Sequence, residues 1–173
     1  MKQALLLILS FFFFKSNSQE KLSLESILKL EPDEIIMKID DYINKLSKYG
    51  DNIESLNPFQ KSFFLIENFE KEINNGGFNQ FYFNSSGNYS LETVDALYKI
   101  GAKKTAKIVE IANSKFPNKL VPKNWEERQN VSIIIDENIE LWNEQDKAFY
   151  KSEENITELL IQFIIKNKTD FEN

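Results

Sequence analysis

Apolar residues recur every three or four positions along most of this chain, and that spacing restricts it to a helical fold. After Pro32, a residue suited to a first helical turn, Ile35, Ile36, Ile39, Tyr42, Ile43 and Leu46 trace one stripe that Gly50-Asp51 closes. Asn57-Pro58 is a second start, with Asn as N-cap and Pro at the first position. Behind it Phe59, Phe63, Ile66, Phe69 and Ile73 line one side, while Lys61, Glu67, Glu70 and Lys71 are expected to point outward. Ser90 caps a helix with Leu91, Val94, Leu97 and Tyr98 as its inner face and Gly101 as its stop, and another runs from about Lys103 to Ser114.

Pro117 and Pro122 bracket a polar loop, and helical character resumes at Trp125. Val131 to Ile135 is β-branched and reads equally as a strand. Ile139, Trp142, Asp146 and Phe149 are spaced for one helix, and Ile156, Leu159, Leu160, Phe163 and Ile164 for the last. No segment alternates convincingly and no internal repeat occurs. The expectation is all-α, a single compact domain of about six to eight helices over residues 32–168.

The first residues have a different character. Met1-Lys2 is a short basic start, Ala4 to Phe14 is apolar apart from Ser10, and Ser16-Asn17-Ser18 supplies small residues before Gln19. These are the three regions of a cleavable secretory signal peptide, residues 1–18, with a polar leader over 19–31. The apolar run is too short to span a bilayer core about 30 Å thick, and no Cys follows it to carry a lipid, so no stable membrane anchor is expected. The expected location is periplasmic or extracellular.

Two absences narrow the chemistry. The chain has neither Cys nor His, which removes thiolate and imidazole nucleophiles, bases and metal ligands together. No catalytic residue, metal ligand or cofactor is expected. The formal charge is −6, and removal of Lys2 and Lys15 with the leader takes it to about −8, which argues against direct nucleic-acid binding. The charge is uneven: Lys99, Lys103, Lys104, Lys107, Lys115, Lys119 and Lys123 make the middle basic, whereas twelve acids face five bases from Glu126 onward.

The least ordinary stretch is Asn75-Gly76-Gly77-Phe78-Asn79-Gln80-Phe81. Adjacent glycines lose much backbone entropy on ordering and mark a tight corner or a close approach. As a corner, Gly76 and Gly77 turn the chain, Phe78 and Phe81 enter the core, and Gln80 and Asn84 bond carbonyls left free at the helix end. As a site, Asn79, Gln80 and Asn84 form a polar pocket for a ligand or partner. No Lys-Ser/Thr follows and no strand precedes, so this is no phosphate loop.

Asn75-Gly76-Gly77-Phe78, Gln80-Phe81, Asn84-Ser85-Ser86-Gly87, Ala96-Leu97 and Ile100-Gly101-Ala102 resemble the signature of the DNA mimic protein 19 family, with a weaker echo in Asp146, Phe149 and Tyr150. The resemblance covers roughly residues 55–165. It implies an all-helical fold with no known catalytic role. It also implies an acidic surface that, in the members that give the family its name, imitates the phosphate spacing of DNA and occupies a DNA-binding protein.

Three functions are therefore weighed. The first is a non-catalytic protein-binding module whose acidic face, drawn from Glu126, Glu127, Asp136, Glu137, Glu140, Glu144 and Asp146, meets a basic protein partner. Glu137, Glu140 and Glu144 would share one side of a helix. The second is a hydrolase using two carboxylates, with Asp40-Asp41, Glu126-Glu127 and Asp136-Glu137 as the adjacent pairs. The third is a ligand-binding envelope protein with a pocket built from Phe78, Phe81, Tyr82, Phe83, Tyr89 and Trp142. A homodimer is left open by all three.

Overall fold

The structure is a computed structural model, and it describes residues 23–135 and 140–172. The proposed signal peptide lies outside these residues, as do Asp136, Glu137 and Ile139. Among the described residues every regular element is helical. They are α1 (Leu24–Ile27), α2 (Pro32–Leu46), α3 (Pro58–Phe83), α4 (Ser90–Ile100), α5 (Lys103–Asn113), α6 (Trp125–Ile135), α7 (Asn143–Tyr150), α8 (Ile156–Lys166) and α9 (Lys168–Phe171). The number exceeds the expectation because α1 and α9 are single turns of four residues. Leu24 of α1, in the expected polar leader, is buried, and α1 lies against α2.

Helix α3 is the axis of the molecule, with α2, α4, α6, α7 and α9 packed around it. Its start is the one expected from Asn57-Pro58. The Asn57 Oδ1 accepts from the N–H groups of Phe59 and Gln60, and the Gln60 Oε1 accepts in return from the Asn57 N–H at 3.1 Å. The side chains of Asn57 and Gln60 also donate to the Asp170 carbonyl, which fastens α9 across the head of α3.

One face of α3 carries Phe63, Ile66, Phe69 and Ile73, all fully buried. Phe69 meets Phe81 and Phe149 edge-on at centroid distances of 5.2 and 5.7 Å. Tyr82 packs at 4.8 Å on both Phe116 and Trp142. Each such ring contributes roughly 1.5–3 kcal/mol on burial. The polar ends are satisfied as well: the Tyr82 hydroxyl donates to Asn113 Oδ1 at 2.7 Å and the Trp142 indole N–H to the Ala112 carbonyl at 3.3 Å. The aromatic residues considered for a pocket are thus mostly core, with Phe78, Phe81, Tyr82 and Trp142 buried and Phe83 exposed.

Val131 to Ile135, which read equally as helix or strand, is helical, and Ile133 and Ile134 are exposed. Other local expectations are corrected. In α4 the inward residues are Val94, Ala96, Leu97 and Ile100, whereas Leu91 and Tyr98 face solvent. The helix expected to run through Ile139 begins only at Asn143, so Glu140 precedes α7 and shares no helical face with Glu144. On α3, Glu67 does not point outward: it is 7% exposed, because α2 lies along that side.

Candidate functional site

The Asn-Gly-Gly-Phe stretch breaks α3 without ending it. Gly76 has φ −159°, ψ 21° and Gly77 has φ 70°, ψ −169°, and the helix resumes at Phe78. The Gly77 conformation is open in practice only to glycine. A Cβ there would also lie 2.7–2.9 Å from the Asp146 carboxylate. As expected, Phe78 and Phe81 enter the core, both fully buried.

The break frees N–H groups on one side and carbonyls on the other. Helix α7 answers both. Asp146 Oδ1 accepts from the Phe78 N–H at 2.8 Å, and the Tyr150 hydroxyl donates to the Ile73 carbonyl at 2.6 Å. Asp146 is therefore turned toward the corner and not available to the acidic face. Its pKa is raised by burial, against which the Phe78 N–H acts.

The polar residues of the motif do not bond the free carbonyls, contrary to expectation. They converge on Glu72, one turn before the break. Gln80 Nε2 and Asn84 Nδ2 donate to its Oε2 at 2.7 and 2.8 Å, and Ser86 Oγ donates to its Oε1 at 3.2 Å. Asn75 Nδ2 in turn donates to Gln80 Oε1 at 3.0 Å. The result is a negative charge held in place by neutral donors, half-buried at the surface. Asn79, the third residue of the polar-pocket reading, is not one of these donors.

At the end of α3 the Tyr82 and Asn84 carbonyls are taken by Arg128, the chain's only arginine, and the Phe83 carbonyl by the side chains of Trp125 and Gln129. Arg128 is fully buried, with Nε on the Tyr82 carbonyl at 2.7 Å, Nη2 on the Asn84 carbonyl and Nη1 on the Pro122 carbonyl, both at 2.9 Å. Carbonyl oxygens at a helix C-terminus carry partial negative charge, so the guanidinium is stabilised there without a carboxylate. Gly87 makes room for it, since a Cβ there would lie 2.7 Å from Nε.

Glu67 and Glu70 are the most perturbed acids. Burial pushes the Glu67 pKa up to about 7, with Lys71 opposing and Asp40 adding to the rise. Burial and the charge of Glu67 push Glu70 up to about 7 as well. Both lie on α3, one turn apart, with Asp40 of α2 bound to Lys71 at 2.6 Å beside them. Two acids on one helix do not face each other across a substrate. Asp40 and Asp41, a pair considered for hydrolysis, are each held by a lysine.

Glu126 and Glu127 are exposed in the first turn of α6, and Glu144 is exposed in the first turn of α7. Glu140 is exposed in the segment before α7, and Glu137 falls outside the described residues. The ion pairs among described residues are Lys45–Asp41, Lys61–Glu54, Lys71–Asp40, Lys107–Glu110 and Lys123–Glu92. They engage acids between Asp40 and Glu110 and leave Glu126, Glu127 and Glu144 without a counter-ion. Sequence reasoning missed Glu72, Arg128 and Glu67 as organising residues. A lone arginine in a lysine-rich chain was the one signal on offer.

A family model described as DMP19-like protein matches residues 54–167. No curated protein and no solved structure matches the chain. The matched stretch includes the corner, Glu72, Arg128, Asp146 and the acids of α6 and α7.

Proposed function

The chain belongs to the DMP19-like protein family, and from that premise we propose that it is a non-catalytic module that binds a basic protein surface through its C-terminal acids. The observation that carries this is the exposure of Glu126, Glu127 and Glu144, which none of the ion pairs among the described residues engages. Each of the three sits in a first helical turn, where the helix dipole favours a carboxylate. The charges therefore do not oppose the helices that carry them and remain available to steer a cationic partner. In family terms this is the DNA-mimic mode, with carboxylates standing where phosphates would be.

The test is capture from extract of the native cells on immobilised protein at low and high salt, with E126Q/E127Q/E144Q as the parallel bait. The expected result is a basic protein retained at low salt, lost with the variant and displaced by duplex DNA. Equal retention by both baits, or indifference to DNA, overturns the mimic reading.

We propose further that residues 1–18 direct export, which would make the partner an envelope or extracellular protein. The support is the basic, apolar and small-residue order of that stretch. The N-terminal residue of protein purified from the native cells is expected to be Gln19. A chain beginning at Met1 in the cytoplasmic fraction sinks this reading and leaves the binding proposal standing.

A further inference from the structure

Six of the seven lysines of the middle of the chain divide into two groups. Lys99 is committed to the fold: its Nζ donates to the Pro58 carbonyl and Ser62 Oγ and lies 4.3 Å from the centre of the Phe59 ring. Lys115 donates to the Leu141 carbonyl, and Lys123 is bound to Glu92. Lys103, Lys104 and Lys107 instead rim a groove between α5 and α7, of about 470 Å³, whose other lining residues are Ile108, Ile111, Ala148 and Ser152. No acid lines it. Lys103 and Lys104 form no ion pair among the described residues. Lys107 is bound to Glu110 at 2.7 Å in an exposed pair, which an incoming carboxylate can replace at little cost.

The shape selects the kind of occupant. The groove is shallow and open along one side, so it cannot enclose a small ligand, which a dedicated pocket buries almost completely. It suits a ridge of side chains offered by another element. Lys104, Ile108 and Ile111 follow one face of α5 over two turns, roughly 10 Å. A helix with apolar residues at i, i+3 or i+4 and i+7 covers that length, and acids flanking its stripe would meet the lysines.

We propose that the α5–α7 groove is a second docking surface, opposite in charge to the first, which takes a short acidic amphipathic helix of a partner protein. Ile111, 43% exposed, and Ile108 would receive the apolar stripe. Lys103, Lys104 and Lys107 would bind the flanking carboxylates. The two surfaces would adjoin on α7, where Glu144 of the first lies one turn from Ala148 of the second.

The test uses the full chain as bait for a phage-displayed library of helical peptides. Enriched sequences are expected to be acidic, with apolar residues at helical spacing. The affinity of an enriched, fluorescently labelled peptide should fall at least about tenfold with K103E/K104E and with I111D, and weaken with salt. It should not change with E126Q/E127Q, which lie on α6 away from the groove, so that failure here and failure of the acidic-face reading are separable. All these positions are exposed, and unchanged thermal midpoints will show that the variants fold. Basic peptides, no enriched family, or full affinity in K103E/K104E overturn the proposal. Binding to anionic phospholipid vesicles without any peptide binding overturns it too, and assigns the groove to a membrane surface.

Discussion

Asp146 and Phe78, 68 positions apart in sequence, are joined by a carboxylate-to-amide hydrogen bond of 2.8 Å that locks α7 onto the break in α3. Four residues after Asp146, the Tyr150 hydroxyl bonds the Ile73 carbonyl on the other side of the same break. One helix thus satisfies both the donor and the acceptor that the break exposes. The corner is a joint between two elements and not merely a bend in one.

If that bond holds the joint, Asp146→Ala leaves a buried N–H without an acceptor and should cost about 1–3 kcal/mol in urea unfolding. Asp146→Asn keeps an acceptor oxygen and should cost less than half as much. Equal losses would mean that the charge, not the acceptor, is what matters there.

Gly77→Ala combines a forbidden conformation with a methyl group pressed on the Asp146 carboxylate. The expected loss is about 3 kcal/mol or more. An exposed neighbour such as Ser85→Ala should fall within about 0.5 kcal/mol of the parent. A G77A protein as stable as the parent would show that the corner relaxes freely.

Arg128→Lys retains charge but not the fork that reaches the Tyr82, Asn84 and Pro122 carbonyls together. A loss of about 2–4 kcal/mol is expected, with faster hydrogen exchange in the last turn of α3. Exchange unchanged at Tyr82 and Phe83 would count against the capping role.

Glu67 and Glu70 make stability depend on pH. Their pKa in the folded chain, about 7, lies above the ordinary 4.5, so the folded state holds these protons more tightly than the unfolded one. Their contribution is complete below pH 4.5 and is lost as pH rises through about 7. Between pH 6 and pH 8 each should cost about 1 kcal/mol, or a thermal midpoint lower by roughly 2–4 °C. Glu67→Gln should flatten this slope and be the more stable form at pH 8. A midpoint that is level across that range in the parent protein would rule out the buried pair.

What was legible in the sequence is the part governed by neighbours along the chain. The Asn57-Pro58 start, the Gly101 stop and the inward turn of Phe78 and Phe81 all follow from local backbone preference and helical spacing. So did the family signature, because its residues lie close together. Spacing misled at Glu67 and Leu91: periodicity ranks the sides of a helix but not which sides a neighbour will cover. Helix α2 lies along the side of α3 that carries Glu67, whereas Leu91 of α4 is left in solvent.

By itself the sequence determined a helical fold, a glycine corner between a long helix and a short aromatic one, and an acidic C-terminal third. Only the tertiary structure decided where the polar groups of that corner go. Glu72 gathers Gln80, Asn84 and Ser86, Arg128 takes the Tyr82 and Asn84 carbonyls, and Asp146 takes the Phe78 N–H. The reason is physical. A helical stripe is set by bond geometry repeated every residue, but a buried donor must find its acceptor within about 3 Å, wherever the packing of other helices brings one.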